Sequence, residues 1–232
     1  MNQYKLKKQI EKIGSFEFEL ECLDNLDETI DQVFKQLENH KNPRTLEELC
    51  PYFGVVWPAA RALAEYLADL PESKIRGKTV LELGCGLALP SILATKRLAH
   101  VVATDFHPEV WGFLESNIKI NHIQNITYRN MNWENRIEPA VKNFDWIIGS
   151  DILYESRYSA SLALNLSKQV NQNGHVVIAD PGRPYLQDFV DAMKNQGFDY
   201  QTQTKKVSHP PFFQEIFILI FNRKKEDTKN AI

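Results

Sequence analysis

The chain has 232 residues, of which 43% are hydrophobic, and its formal net charge at pH 7 is −3. This length and apolar content suffice for one domain with a full core, and the charge excludes the basic surface of a general nucleic-acid binder. The three cysteines stand far apart without metal-ligand spacing, so neither a disulfide framework nor a metal site is expected. The first residues form no apolar leader, and no apolar run reaches membrane length, which predicts a cytoplasmic protein without a membrane partner.

The N-terminal residues predict a strand followed by a helix. Over residues 15–22 apolar side chains alternate with serine and glutamate, which is typical of a half-buried strand. Residues 26–39 predict an amphipathic helix, whose apolar stripe consists of Ile30, Val33, Phe34 and Leu37. A segment this short cannot form a core of its own. We therefore expect three parts: an extension over 1–45, a main domain over 46–222 and a polar tail over 223–232.

In the main domain, strand-like runs alternate with helical ones. After a helix that begins at Pro58, strands are predicted over 79–83, 101–105, 126–129, 144–150 and 175–179. The intervening helices are predicted over 90–97, 108–120, 156–170 and 184–196. Two more strand-like runs, 200–207 and 216–221, have no helix between them and indicate a closing hairpin. The predicted fold is α/β: a doubly wound, Rossmann-like, seven-stranded sheet with helices on both faces and a C-terminal antiparallel β-hairpin.

The turn after the first of these strands holds Gly84 and Gly86, one residue apart. Glycine lets the backbone turn tightly and approach a ligand, and the helix start beyond it offers free N–H groups. Leu89 stands where a dinucleotide fingerprint has its third glycine, and Glu82 precedes the turn. Asp105 ends the next strand, where a carboxylate can accept both hydroxyls of a ribose. This pattern favours S-adenosylmethionine over a dinucleotide.

With these motifs the chain resembles the seven-β-strand S-adenosylmethionine-dependent methyltransferases, and among them the family 16 protein-lysine methyltransferases. The likeness covers roughly residues 50–222. It rests on a tryptophan-bearing segment at 54–58, the glycine motif at 82–86, Asp105, Asn132-Trp133 where the family usually has Asp-Trp, and a D-x-x-Y signature at 151–154. The segment 180–184 resembles the branch that modifies the electron transfer flavoprotein β subunit.

The resemblance implies S-adenosylmethionine as cofactor and S-adenosylhomocysteine as product, and it implies no metal. The implied cofactor contacts are Trp57, Glu82, Gly84, Cys85, Gly86, Asp105, Phe106, Asn132, Trp133 and Ser150. Asp151 and Tyr154 are the implied catalytic residues, since a carboxylate attracts a lysine ammonium and an aromatic ring can flank its stem. The implied partner is a protein with an accessible lysine, with the flavoprotein β subunit as a candidate.

Lysine must lose a proton before it can accept a methyl group. A partly buried site beside a positive sulfonium lowers the pKa of the amine, whereas the Asp151 carboxylate raises it. We therefore assign Asp151 to orientation and capture of the lysine, and leave the proton to water. The amide of Asn132 replaces the usual aspartate and can still accept a hydrogen bond from adenine through its carbonyl.

Alternative interpretations remain for these residues and for the whole chain. In structural terms, the glycines could form a turn without a ligand, and Glu82 could pair with a lysine. The side chains of Trp57 and Trp133 could simply pack in the core. Asp105 and Asp151 could be helix N-caps. The functional ones are a small-molecule N-methyltransferase closed by the 1–45 extension and a catalytically silent cofactor-binding module. Leu89 and the terminal hairpin disfavour a dehydrogenase.

Overall fold

The computed structural model describes residues 4–37, 49–132, 143–154, 159–210 and 212–224. The N-terminal part contains β1 (Leu6–Ile13), β2 (Phe16–Leu23) and α1 (Leu26–Gln36). The main domain contains a short 3-10 helix (Tyr52–Gly54), α2 (Pro58–Asp69), α3 (Glu72–Ile75), β3 (Thr79–Leu83), α4 (Leu89–Lys96), β4 (His100–Asp105), α5 (Val110–Ile120), β5 (Ile126–Asn130), β6 (Phe144–Ser150), α6 (Ser159–Gln169), β7 (Val170–Asp180), α7 (Leu186–Asn195), β8 (Phe198–His209) and β9 (Phe212–Arg223).

The main sheet has seven strands in the order β5-β4-β3-β6-β7-β9-β8. Strands β3 to β7 run parallel, and β9 lies antiparallel between β7 and β8. The predicted doubly wound sheet with its terminal hairpin is therefore confirmed. The last three strands are longer than predicted, and the added ends of β8 and β9 are paired with each other.

Successive residues of the strands enter two separate cores, one on each face of the sheet. In β3, Val80 belongs to a core with Leu63 of α2 and Ile92 of α4. Its neighbour Leu81 belongs to the other core, with Phe189 of α7. Side chains of adjacent strand residues point to opposite faces, so helices cover both faces, as predicted.

The N-terminal strand prediction was incomplete, because β2 is one arm of a hairpin whose other arm is β1. The β1 sequence lacks strict alternation, and it becomes a strand through pairing with β2 across a turn at Gly14, where φ is +59°. Two asparagines of α5 complete the free edge of β2. Asn117 and Asn121 each accept from a β2 backbone N–H and donate to the carbonyl of the same residue, Glu21 and Glu19 respectively.

A buried ion pair joins the hairpin to the main domain. The Arg61 guanidinium of α2 donates to both carboxylate oxygens of Glu11 in β1, over 2.9 and 2.6 Å, and to the Val56 carbonyl over 2.7 Å. On α1, Val33 of the predicted stripe is buried, whereas Phe34 is 39% exposed. The predicted boundary at residue 45 lies outside the described residues and stays a prediction.

The polar tail begins later than predicted. Arg223 still belongs to β9, lies over the Phe198 ring and donates to the Ser167 carbonyl. The remainder of the predicted tail, from residue 225 on, lies outside the described part of the chain. Among the helices that the structure describes, none is both long and apolar enough to cross a membrane.

Candidate functional site

The carboxyl ends of the parallel strands lie level at one edge of the sheet. Leu83 of β3 pairs with Thr104 of β4 and with Gly149 of β6, and Ser150 of β6 pairs with Ala179 of β7. Ligands of open α/β sheets bind outside this edge. The residues that end or directly follow these strands include Gly84, Asp105, Ser150, Asp151 and Asp180.

The glycine turn after β3 has the backbone conformation that glycine favours. Gly84 and Gly86 have φ of +60° and +51°. A Cβ on Gly86 would lie 3.1 Å from the Phe53 carbonyl oxygen, so the backbone of the 3-10 helix already covers one side of the turn. The Gly86 N–H donates to the Asp105 carboxylate over 3.0 Å. Cys85 is buried between the two glycines.

The Asp105 side chain connects the end of β4 to the glycine turn by a hydrogen bond. One carboxylate oxygen accepts from Gly86 and the other from the His107 N–H, over 3.0 Å. Burial raises the pKa of Asp105, and the hydrogen bonds from His107 and Gly86 oppose that rise. Helix α5 has Glu109 as its N-cap, so the N-cap interpretation of Asp105 is wrong. The carboxylate instead lies beside the glycine turn, at the position predicted for a ribose contact.

His107, whose backbone N–H binds Asp105, has a neutral side chain. Its Nδ1 accepts from the Glu109 N–H, so Nε2 carries the hydrogen and lies 3.3 Å from the Leu49 carbonyl oxygen. Burial lowers the pKa of His107. Its ring packs on Phe53 with 4.3 Å between the centroids. His107 therefore supports the segment that covers the glycine turn.

Glu82 is fully buried just before the turn. Its Oε2 accepts from the backbone N–H and the hydroxyl of Ser91 on α4, so its partner is a serine rather than the lysine of the alternative interpretation. Its Oε1 has no hydrogen-bond partner within the described part of the chain. Burial raises the pKa of Glu82 to about 8, the Ser91 hydrogen bonds lower it, and the Asp105 charge raises it. A buried carboxylate oxygen in this state fits a donor or cation supplied by a ligand.

Asp151 follows β6 and has φ of +63°, in the left-handed region. The Arg183 guanidinium forms an ion pair with its carboxylate and donates to its carbonyl over 3.0 Å. Burial raises the pKa of Asp151, Arg183 lowers it, and Asp180 raises it. Tyr154 is 41% exposed. The described partner of the carboxylate is Arg183, which disfavours the N-cap interpretation of Asp151.

Asp180 organises the turn that carries Arg183. Its Oδ1 accepts from the N–H groups of Gly182 and Arg183, over 2.8 and 2.7 Å. Its Oδ2 is buried without a hydrogen-bond partner in the described residues, and burial raises its pKa. Gly182 has φ of +89°, and a Cβ there would lie 3.0 Å from the Phe217 ring. The turn therefore depends on both Asp180 and Gly182.

The remaining predicted cofactor residues lie around this edge. Trp57 is half-buried and donates from its indole N–H to the Tyr52 carbonyl over 2.8 Å, at the start of α2. Phe106 directly follows β4 and is half-buried. Asn132 follows β5, Ser150 ends β6, and both are half-buried. The predicted residue Trp133 lies outside the described residues. Within those residues, no group of three or more His, Cys, Asp or Glu side chains is placed to hold a metal ion.

A model of a protein family described as lysine methyltransferase matches residues 47–196. The chain belongs to this family. It is 34% identical over 136 residues to the electron transfer flavoprotein beta subunit lysine methyltransferase of Mus musculus, covering 58% of this chain and 52% of that protein. It is 26% identical over 191 residues to the protein-lysine methyltransferase METTL21E of Bos taurus, covering 78% and 62%. The chain thus spans about half to two thirds of the length of these relatives.

A solved structure with this fold is the T. thermophilus 16S rRNA methyltransferase RsmC, in complex with AdoMet and guanosine. The TM-score is 0.64 at 15% sequence identity, and the match covers 95% of this chain and 51% of that one. At this level of sequence identity, the match is evidence for the fold of the chain and not for its substrate.

The sequence analysis did not identify four residues of this site. Ser91 holds Glu82, Phe53 and His107 cover the glycine turn, and Arg183 binds Asp151. A signal existed for two of them. Ser91 lies at the first turn of the helix after the glycine motif, and Arg183 lies in the segment 180–184 that was singled out for its resemblance.

Proposed function

We propose that this protein is an S-adenosylmethionine-dependent methyltransferase that methylates a lysine side chain of a protein substrate. The observation that carries the proposal is the shared edge of the sheet. There the glycine turn follows β3 and Asp151 follows the neighbouring β6, at the edge outside which ligands of such sheets bind. Membership of the lysine methyltransferase family supports the same activity.

The residues at the glycine turn fit the cofactor. The unpaired Glu82 oxygen would receive the ammonium of its methionine part, and a cation there would let the carboxyl ionise despite its pKa of about 8. Gly86 has no side chain, which lets the Phe53 backbone pack against the turn that would hold the ligand. The Asp105 oxygens each accept one backbone N–H and keep lone pairs for the ribose hydroxyls. Asn132 and Trp133 are the proposed adenine contacts.

Trp57, Cys85, Phe106 and Ser150 stay proposed members of the cofactor shell. When bound, the cofactor would supply a methyl group on a sulfonium sulfur, which a neutral lysine amine could accept to give S-adenosylhomocysteine as product. The protein's residues position the amine for an in-line displacement and exclude water.

Asp151 and Tyr154 are the proposed residues for the target lysine. The Asp151 side chain is 14% exposed, so one lysine ammonium can reach it from the crevice. Tyr154 is more exposed and can flank the aliphatic stem. Three buried carboxyl groups, Glu82, Asp105 and Asp180, lie at this edge with the half-buried Asp151. Burial raises the pKa of all four. Such an edge favours cationic ligands, which both the sulfonium and the lysine are.

The electron transfer flavoprotein beta subunit is the proposed protein substrate. The name of the Mus musculus relative and the resemblance of segment 180–184 support it. We propose no nucleic-acid or membrane partner. We also propose the cytoplasm as compartment, which fits three free cysteines, Cys22, Cys50 and Cys85.

The test is transfer of a radiolabelled methyl group from S-adenosylmethionine to the purified beta subunit and to proteins of a lysate of the source organism. Asp151→Ala should abolish labelling while cofactor binding, measured by calorimetry, persists. Gly86→Arg should abolish both, provided that circular dichroism shows a folded chain. Asp199→Ala is the matched control, because that carboxylate is 75% exposed and lies on β8, away from the crevice.

Each outcome separates the alternatives. A labelled protein that disappears with Asp151→Ala supports the proposed function, and label in the beta subunit identifies the substrate. Label confined to small molecules would favour a metabolite N-methyltransferase. Cofactor binding without any transfer would favour a silent binding module, and unaltered binding in folded Gly86→Arg would refute the assignment of the glycine turn.

A further inference from the structure

Arg183 has two contacts with one residue of the site, Asp151. Its guanidinium forms the ion pair with the Asp151 carboxylate and donates to the Asp151 carbonyl over 3.0 Å. The second contact holds the backbone where φ is +63°, in the left-handed region. Arg183 thus determines both where the carboxylate lies and how much net charge it presents.

The turn that carries Arg183 is itself rigidly held. Asp180 accepts hydrogen bonds from the N–H groups of Gly182 and Arg183. A Cβ on Gly182 would lie only 3.0 Å from the Phe217 ring. The Arg183 side chain is 32% exposed against 14% for Asp151. Arg183 is therefore the more exposed member of the ion pair and would form the rim of the proposed crevice.

This arrangement addresses a conflict in the proposed chemistry. A free carboxylate stabilises the lysine ammonium, which is the form that cannot accept a methyl group. Among the described residues, the charged groups that act on Asp151 are Asp180 from β7 and Arg183 from the following turn. Arginine stays protonated at every physiological pH. Of the two charged groups, Asp180 adds to the negative charge and Arg183 offsets it.

We propose that Arg183 is a positioning residue which acts through Asp151: it holds the carboxylate in place and offsets its charge, so that the bound lysine gives up its proton more readily. This inference rests on the proposed lysine methylation. The proton passes to water before transfer, and the amine lone pair then becomes the new bond to the methyl carbon. Capture of the lysine still relies on Asp151, which has oxygen lone pairs beyond the ion pair.

The experiment compares Arg183→Gln and Arg183→Lys with the wild type across pH 6 to 10, with the electron transfer flavoprotein beta subunit and the lysate proteins as methyl acceptors. In Arg183→Gln the uncompensated carboxylate raises the pKa of the bound lysine. The rate, which rises with pH as the amine deprotonates, should therefore shift by about one unit to higher pH. Below that pKa the loss of kcat is about tenfold. KM for the protein should not rise, because the ammonium binds at least as well.

The conservative variant and two controls distinguish this role from a structural one. Arg183→Lys retains the charge and should return the pH profile toward that of the wild type. Thermal unfolding and calorimetric cofactor binding should change little in either variant, since the guanidinium is at the rim. A uniform loss of rate at all pH values, or an undisplaced profile in an active Arg183→Gln, would overturn the inference alone. No transfer by the wild type at any pH would overturn the proposed function and this inference with it.

Discussion

Gly86→Ala tests how tightly the glycine turn is packed, because it adds a methyl group close to the Phe53 backbone. The φ of +51° is left-handed, and an L side chain there costs about 1–2 kcal/mol. The new Cβ would also lie 3.1 Å from the Phe53 carbonyl oxygen, which is backbone and cannot rotate away. Overpacking of this kind costs about 1–3 kcal/mol. We expect Gly86→Ala to lose about 2–5 kcal/mol of unfolding free energy.

Gly77→Ala is the matched control. Its φ of +69° imposes the same kind of backbone strain, yet nothing lies within 4 Å of the added Cβ. Both substitutions remove one glycine from the unfolded chain, so that contribution cancels between them. The difference between the two variants isolates the contact with Phe53 and should be about 1–3 kcal/mol. At this chain length, each kcal/mol lowers Tm by about 2–4 °C.

Thermal and urea unfolding measure the stability difference, and calorimetry with S-adenosylmethionine measures binding. Gly86→Ala should unfold several degrees below Gly77→Ala and bind the cofactor more weakly, because the Phe53 segment or the turn must move. Gly77 precedes β3, at the opposite edge of the sheet, so its variant should keep wild-type binding. Equal Tm values and equal affinities for the two variants would refute the proposed close packing of the glycine turn.

Two other predictions concern buried charges. Burial raises the pKa of Glu82 from 4.5 to about 8, so the folded form keeps a proton that the unfolded chain loses, and this group lowers stability as pH rises from about 5 to 8. The unfolding free energy of Glu82→Gln, measured in urea at pH 5 and pH 8, should therefore rise relative to that of the wild type between the two pH values, by at most about 4 kcal/mol. A difference that is the same at both pH values would contradict this. Glu11→Ala leaves the Arg61 charge buried and unpaired and should cost about 3–5 kcal/mol in the same assay. Lys8→Ala, which breaks the exposed pair with Glu19, should change stability far less, and similar losses would refute the role of burial.

The sequence predicted most of the main domain, because its signals are local. Apolar strands, amphipathic helices and the absence of a helix before β9 are properties of short windows. The doubly wound layout with helices on both faces follows from general rules of βαβ connection. The glycine turn and Asp105 were predicted for the same reason: each follows a strand, and parallel strands bring their carboxyl ends to one edge. The β1 strand was missed because its polar sequence is a strand only through its partner β2.

The contacts that give the site its charge balance depend on tertiary structure. The sequence by itself determined that Glu82, Gly86, Asp105 and Asp151 would lie at one edge, since spacing along strands is enough for that. Only the folded chain decided that the Glu82 partner is Ser91 and that Asp151 faces Arg183, 32 residues away. A carboxylate binds whichever donor the packing brings within about 3 Å, and burial then sets its pKa. Neither distance nor burial is encoded in a window of neighbouring residues.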